Sequence, residues 1–205
     1  MPLWRARELA IIEGVGYPRP NLSHFRSIEI WDTAADSDEY RREGWLARAF
    51  RQAPAPTDFV ADAAVFGSQD IGPLLGDDRV IALADPEQFA RRAHVLDRPE
   101  AIDGTMNPAL AHILKVEAET REAAQKIGAG GTAFPFVTSF PTGPFGEVVK
   151  HACDILGRGQ RVSALRLTLN GFDTHQNQPG IHANQLKQLA EGLTALRGAL
   201  QELDL

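Results

Sequence analysis

The sequence has little of what builds cross-linked, cysteine-ligated or membrane-embedded proteins. One cysteine, Cys153, occurs among 205 residues, which excludes an intrachain disulfide and any site built on several cysteines. Aromatic residues make up only 7%, and no apolar run approaches the roughly 20 residues of a membrane-spanning helix. We therefore expect no membrane span. Cys153 lies on an amphipathic stretch, where a buried structural thiol is its expected role.

Positive charge is also in deficit. The chain has 21 Lys and Arg residues against 27 Asp and Glu, a net charge of -6, so the basic stripe of a dedicated nucleic-acid-binding protein is missing. Residues 1–7 are followed by no apolar core of a secretory signal. A chain of this length buries roughly 70% of its unfolded surface without staples. We predict one soluble globular domain over residues 1–205.

Short apolar runs alternate with segments of helical periodicity. Strand-like composition, bounded by glycine or proline, occurs at 9–12, 59–66, 80–84 and 162–169. Helical signals occur from Asn21 or Ser23, over 39–50, from residue 85, over 109–127 and over 144–156. This order predicts an α/β fold with a mainly parallel sheet flanked by helices. Ligands of such sheets bind beyond the carboxyl ends of the strands.

The last helix has the most regular pattern. Its leucines step by three and four residues, at Leu186, Leu189, Leu193, Leu196, Leu200 and Leu203. The spacing favours a helix that faces the core, and the alternative is a coiled-coil seam, for which the run is short.

Asp173 and His175 come directly after the best strand, at 162–169. Alternate residues of an extended segment point the same way, so a carboxylate and an imidazole converge above the sheet edge. Oxygen and nitrogen ligands suit zinc, manganese or iron. His182, near the start of the next helix, could fold back over the same point. Alternatively, Asp173 caps a turn and His175 is an exposed loop histidine.

Ser23 and His24 follow the first strand and loop. A serine at a helix start can act as a nucleophile, because the free amide groups there favour a phosphoryl or sulfuryl group. Arg26 could then hold an anion. The alternatives are that Ser23 is only an N-cap and that Arg26 is only solvated.

Two groups of motifs, taken together, resemble a known family. The first is Gly14-Val15-Gly16-Tyr17-Pro18, followed by Ser23-His24-Phe25-Arg26, Ile30-Trp31 and Gly44-Trp45-Leu46. The second is Gly171-Phe172-Asp173-Thr174-His175-Gln176-Asn177-Gln178, followed by His182 and the leucine-rich helix. In this order they resemble a bacterial family called domain of unknown function fifteen-oh-one, a sulfatase-like family of the alkaline phosphatase superfamily.

The resemblance implies an alkaline-phosphatase-like sheet with a bimetal site at the strand ends. Asp173 and His175 would be ligands of one divalent metal, zinc or a similar ion, with His182 a further ligand. Ser23 would be the nucleophile, with His24 beside it. Members of the family are commonly exported through the twin-arginine pathway, for which this chain has no signal.

The chain also departs from the family pattern. It has no Gly-Asn-Asp-Gly-like motif before the first segment, and no Glu-Phe-Gly-Arg or Gly-Thr-Asp-His-Gly segment after the last helix. The expectation is a domain incomplete at both ends, related to metal-dependent hydrolases of phosphate or sulfate esters and inactive or incomplete by itself. The alternative is a non-catalytic binding or assembly module that uses the leucine-rich helix. Its partner would be a second copy or a chain supplying the missing segments.

Overall fold

The computed structural model describes residues 2–76, 79–83 and 131–205. In chain order the elements are α1 (Pro2–Arg5), α2 (His24–Thr33), α3 (Trp45–Gln52), β1 (Ala61–Phe66), a 3-10 helix (Gly72–Leu74), β2 (Val80–Leu83), α4 (Pro144–Gly157), β3 (Val162–Leu167) and α5 (Gln178–Glu202). The helices predicted from residue 85 and over 109–127 lie outside the described residues.

The three strands form one parallel sheet in the order β2-β1-β3. Ala63 of β1 stands opposite both Val80 and Ala164, which fixes the register on its two sides. Every residue of β1 is buried, as expected of a strand covered on both faces. The protein is therefore an α/β protein with a mainly parallel sheet flanked by helices, as the sequence predicted.

Alternate residues of β1 point to two separate cores. On one face, Ala64 and Phe66 pack with Ala152 and Ile155 of α4. On the other face, Ala63 and Val65 pack with Leu74 of the 3-10 helix and with side chains of α3. α2 packs against the 3-10 helix on this second face, whereas α5 packs against α4. α2 and α3 thus lie on one face of the sheet, and α4 and α5 lie on the other.

The buried strand predicted at 9–12 is wrong. Residues 9–12 form no helix or strand, and Ile11 and Ile12 are exposed. A strand depends on hydrogen bonds to a neighbouring chain, and in the described sheet β1 pairs only with β2 and β3. Four apolar residues without a pairing partner do not make a strand.

The helix predicted over 39–50 begins later, at Trp45. The backbone N–H of Gly44 donates to the Leu75 carbonyl at 2.8 Å, and Gly44 is buried against Pro73 without room for a side chain. Because of this hydrogen bond and this close contact, the backbone at Gly44 is extended, and the helix starts only after it. Leu46 and Phe50 pack on the core, whereas Trp45 and Ala49 are exposed.

The leucine-rich helix exists, but its leucines are not its most buried side. The buried residues of α5 are Gly192, Ala195 and Ala199, and Leu189 and Leu196 pack beside them. Leu186 is exposed. Small residues take the contact because the Phe145 ring of α4 lies against Gly192. The prediction of a core-facing leucine helix is therefore only partly right.

Candidate functional site

The loop after β3 is held against the start of α5. The Gln185 side-chain amide donates to the Asn170 carbonyl, and His182 Nε2 lies 3.1 Å from the Phe172 carbonyl oxygen. The Phe172 and His182 rings also pack edge to face, with centroids 5.8 Å apart. Two turns of α5 thereby fix the backbone that presents residues 173–175.

Asp173 and His175 are brought together on this loop. Asp173 Oδ1 lies 3.4 Å from His175 Nε2, while 69% and 84% of the two side chains are exposed to solvent. The pair therefore faces outward, with its remaining oxygen and nitrogen lone pairs accessible. That arrangement permits a ligand to approach both groups at once, although their role as metal ligands stays a prediction.

The ring of His182, which lies on α5, contacts the same loop. Because a carbonyl oxygen only accepts hydrogen bonds, the contact with Phe172 makes Nε2 the protonated nitrogen and leaves the lone pair on Nδ1. The Thr174 hydroxyl lies 3.4 Å from Nε2. A histidine whose N–H donates to a backbone carbonyl has the tautomer and fixed ring typical of metal-binding histidines.

Ser23 and His24 stand at the start of α2. Ser23 occupies the N-cap position, but its hydroxyl makes no capping hydrogen bond; its backbone N–H instead donates to Asn21 Oδ1 at 2.8 Å. Both residues are exposed. Within the described residues, no hydrogen bond or ion pair joins them to the loop after β3. Their roles as nucleophile and neighbour stay predictions.

Arg26 directs its guanidinium into the protein. Only 7% of the residue is exposed. Its Nη2 donates to the carbonyls of Asp36 and Ser37 at 3.2 Å and to that of Glu39, and its Nη1 lies 2.9 Å from Glu29 Oε2. The guanidinium also stacks on the Tyr40 ring at 4.0 Å. These contacts fold the 36–40 segment over α2, and a role in anion binding stays a prediction.

The structure adds a charged cluster that the sequence reading missed. Arg166, near the end of β3, donates to the Asp70 carbonyl, and its Nη2 lies 4.0 Å from Asp70 Oδ2. Asp32 is half-buried nearby; burial raises the pKa of its carboxyl, and Arg166 partly offsets this. The only sign of this cluster in the sequence was Arg166, a single charged residue between Leu165 and Leu167 in a predicted strand.

Cys153 is fully buried between α4 and α5, beside Val149 and Ala199. Burial, with a smaller contribution from Asp154, raises the pKa of its thiol to about 12. The predicted burial of Cys153 is confirmed, and the raised pKa disfavours the thiolate, which is the reactive form.

No group of three or more His, Cys, Asp or Glu side chains is arranged to hold a metal ion in residues 2–76, 79–83 and 131–205, so His182 does not complete a three-ligand group with Asp173 and His175. In the same part of the chain, no helix has the length and apolarity to cross a bilayer.

Comparison with protein-family models, with curated proteins and with solved structures found no match to this chain.

Proposed function

We propose that the loop after β3 binds one divalent cation and belongs to a site for hydrolysis of phosphate or sulfate esters. The supporting observation is the 3.4 Å approach of Asp173 Oδ1 to His175 Nε2 on an outward-facing loop. The loop lies beyond the carboxyl end of β3, where α/β sheets bind ligands.

The donor atoms of the loop are of the types that bind divalent cations, but they are fewer than a stable metal site needs. A carboxylate oxygen and an imidazole nitrogen are ligands of zinc and of related divalent metals. His182 is not grouped with this pair in the structure, so its Nδ1 would have to approach the pair on metal binding to act as a third ligand. Two or three side chains leave coordination positions to water or to a substrate oxygen. A site this small binds weakly, because stable centres of this type use more protein ligands.

The residues divide the chemistry between them. When bound, a divalent cation supplies positive charge that stabilises the oxyanions of an ester and favours ionisation of a bound hydroxyl. Asp173 and His175 would hold that charge at the strand end. Ser23, whose hydroxyl is not used in capping, is the proposed nucleophile at the N-terminus of α2. Because Ser23 is not joined to the loop, we expect little or no turnover by the isolated chain.

Metal binding is tested first. We expect the purified chain to take up about one equivalent of Zn²⁺ in equilibrium dialysis, and the Asp173→Ala, His175→Ala double variant to lose that uptake. His182→Ala should weaken it. Asp204→Ala, which removes an exposed carboxylate beyond the other end of α5, is the matched control and should bind like the wild type. Equal metal content in the wild type and the double variant would remove these residues from the site.

Hydrolysis is tested separately with an aryl phosphate and an aryl sulfate. The expected result is turnover close to background for the wild type. Turnover that a chelator abolishes and that Asp173→Ala eliminates would contradict incompleteness, and it would make the chain a competent hydrolase. Loss of that turnover in Ser23→Ala would then assign the nucleophile.

The second candidate function is a non-catalytic assembly module. It is favoured by one observation: Ile181 and Leu186 are exposed in the first half of α5, whereas the buried residues of the helix, Gly192, Ala195 and Ala199, lie in its second half. An apolar helix surface of this kind fits a partner helix. Light scattering on the wild type and on Leu186→Asp tests it: the variant should lower the mass if α5 mediates assembly, and an unchanged mass would exclude that surface.

A further inference from the structure

The loop after β3 contains an asparagine followed directly by a glycine. Asn170 and Gly171 lie between β3 and α5, in a stretch that forms no helix or strand, and both are exposed to solvent. Within the described part of the chain, neither the side-chain amide of Asn170 nor the backbone N–H of Gly171 takes part in a hydrogen bond. The asparagine side chain and the next backbone nitrogen are therefore both available for reaction with each other.

The structure requires a glycine at position 171. The backbone there has a φ of +96°, in the left-handed region that glycine adopts without strain. A side chain at this position would also overlap the side-chain amide of Gln185 on α5. Glycine is at the same time the residue that shields its own backbone nitrogen least. The packing of the loop against α5 thus keeps the most reactive kind of neighbour beside Asn170.

We propose that Asn170 is a site of deamidation, with the backbone nitrogen of Gly171 as the nucleophile. This nitrogen gives its proton to water and forms a bond to Cγ of Asn170, and the side-chain nitrogen takes up a proton and leaves as ammonia. One water molecule then opens the resulting cyclic imide. Opening at one carbonyl gives aspartate at position 170, and opening at the other gives isoaspartate, in which the main chain runs through the former side chain. The reaction consumes one water and releases one ammonia.

The contact that holds the loop also assists this reaction. The Gln185 side-chain amide donates a hydrogen bond to the Asn170 carbonyl, which belongs to the same peptide group as the Gly171 nitrogen. When that nitrogen loses its proton, amide resonance moves negative charge onto the carbonyl oxygen. A donor already directed at this oxygen stabilises the charge as it forms. Gln185 is itself held in place, because Gln188 donates to its Oε1 at 3.0 Å.

Deamidation changes the loop in charge and in length. Either product places a new carboxylate three positions before Asp173, and the isoaspartyl product adds one carbon to the main chain. Two side chains of α5 hold the loop through the carbonyls on either side of Gly171, so the added carbon falls between these two attachment points. The isoaspartyl chain is therefore expected to hold residues 173–175 less firmly than the original chain.

The site is tested by mass spectrometry of the whole chain, digested after incubation at neutral pH and physiological temperature with a chelator present. We expect Asn170 to gain the mass difference between an amide and an acid about tenfold or more faster than Asn21 and Asn177, with isoaspartate among the products. Both controls are also exposed, but neither precedes a glycine. Asn170→Gln should remove the reaction, because its longer side chain forms the cyclic imide far less readily. An Asn170 that stays intact as long as the two controls would overturn the proposal.

The part played by Gln185 is tested by Gln185→Met, which removes the donor and keeps the length of the side chain. We expect deamidation of Asn170 to slow severalfold in the folded chain and to be unchanged in the chain unfolded by urea. Gln201→Met, exposed on the same helix, is the matched control and should react like the wild type. A residue that only restrained the loop would protect it, so faster deamidation in Gln185→Met would overturn the role of Gln185. With the chelator present, no result depends on whether the loop binds a metal.

Discussion

Arg26 shows how a single residue organises the structure around the candidate nucleophile. Arg26 lies only three positions after Ser23. Its guanidinium nevertheless donates hydrogen bonds to carbonyls of residues 36–39 and stacks on the ring of Tyr40. A planar group with five donors is suited to several acceptors at once. Those contacts determine the position of the chain that follows α2.

Arg26→Lys should therefore destabilise the protein although the charge is kept. An ammonium group cannot reach the same carbonyls or stack on Tyr40, and a hydrogen bond from a charged donor contributes about 1.5–3 kcal/mol. We expect a loss of about 2 kcal/mol in the free energy of unfolding, measured by urea denaturation. Arg41→Lys, at a surface pair with Glu39, is the control and should change it by less than about 0.5 kcal/mol. Unchanged stability, together with stabilisation of the wild type by phosphate, would instead support anion binding.

Glu202 gives the stability of the chain a pH dependence. Its carboxylate accepts hydrogen bonds from the Thr138 hydroxyl and from the N–H groups of Val137 and Thr138. These hydrogen bonds, the hydroxyl of Thr138 first, hold the pKa of Glu202 below its ordinary value. A lowered pKa in the folded state means that the stabilisation is complete above the unfolded pKa and is lost as the pH falls through the folded pKa.

Glu202→Gln should lower the melting temperature at neutral pH, because its amide group opposes the donors that the carboxylate accepts. The difference from the wild type should shrink as the pH is lowered from about 7 to about 3, since the wild-type carboxyl becomes protonated. Thermal unfolding at several pH values measures this. Glu191→Gln, exposed on the same helix, is the control. A melting difference that stays constant with pH would contradict the role of the charge.

At the scale of elements, the contact between α4 and α5 depends on the size of one residue. A methyl group on Gly192 would lie 2.5 Å from Cε1 and 2.8 Å from Cδ1 of Phe145. Phe145 is itself buried, so its ring has little room to move. The close approach explains why small residues, and not leucines, form the buried side of α5.

Gly192→Ala should destabilise the protein despite a better helix former at that position. Helix propensity favours alanine by about 1 kcal/mol, while overpacking a filled core costs about 1–3 kcal/mol. We expect a net loss of about 1 kcal/mol in urea denaturation. Phe145→Leu tests the cause: the double variant should lose less than the sum of the single variants. If Gly192→Ala were more stable than the wild type, α4 and α5 would be able to move slightly apart without a loss of packing energy.

At the scale of the whole molecule, local patterns predicted the elements that pack locally. The strands expected at 59–66 and 80–84 appear as Ala61–Phe66 and Val80–Leu83, and the helix expected at 144–156 appears as Pro144–Gly157. Each has an apolar pattern that matches its own burial. Local pattern gave no warning that 9–12 has no pairing partner or that Gly44 is held by the carbonyl of Leu75, because both depend on residues distant in the sequence.

The candidate site divides in the same way. The approach of Asp173 to His175 follows from their spacing beyond a strand, and the sequence predicted it. The contacts of His182 with Phe172 and of Arg26 with residues 36–39 involve backbone carbonyls, which every residue has and no motif identifies. The cluster of Asp32, Asp70 and Arg166 joins α2, β3 and the segment between β1 and the 3-10 helix, and the sequence did not predict it. The sequence therefore predicted which side chains belong to the candidate site better than it predicted the groups that those side chains contact.

The parallel pairing of β1 with β3 also sets an order for biosynthesis. Asp58, just before β1, forms an ion pair with Arg161, just before β3, and the two lie 103 positions apart. A ribosome adding about 5–20 residues per second needs about 5–20 s to cover that interval. During this time the nascent β1 has no β3 beside it, and its open edge is a site for wrong pairing. Slower elongation between the two strands would lengthen that exposure and raise the demand for chaperones.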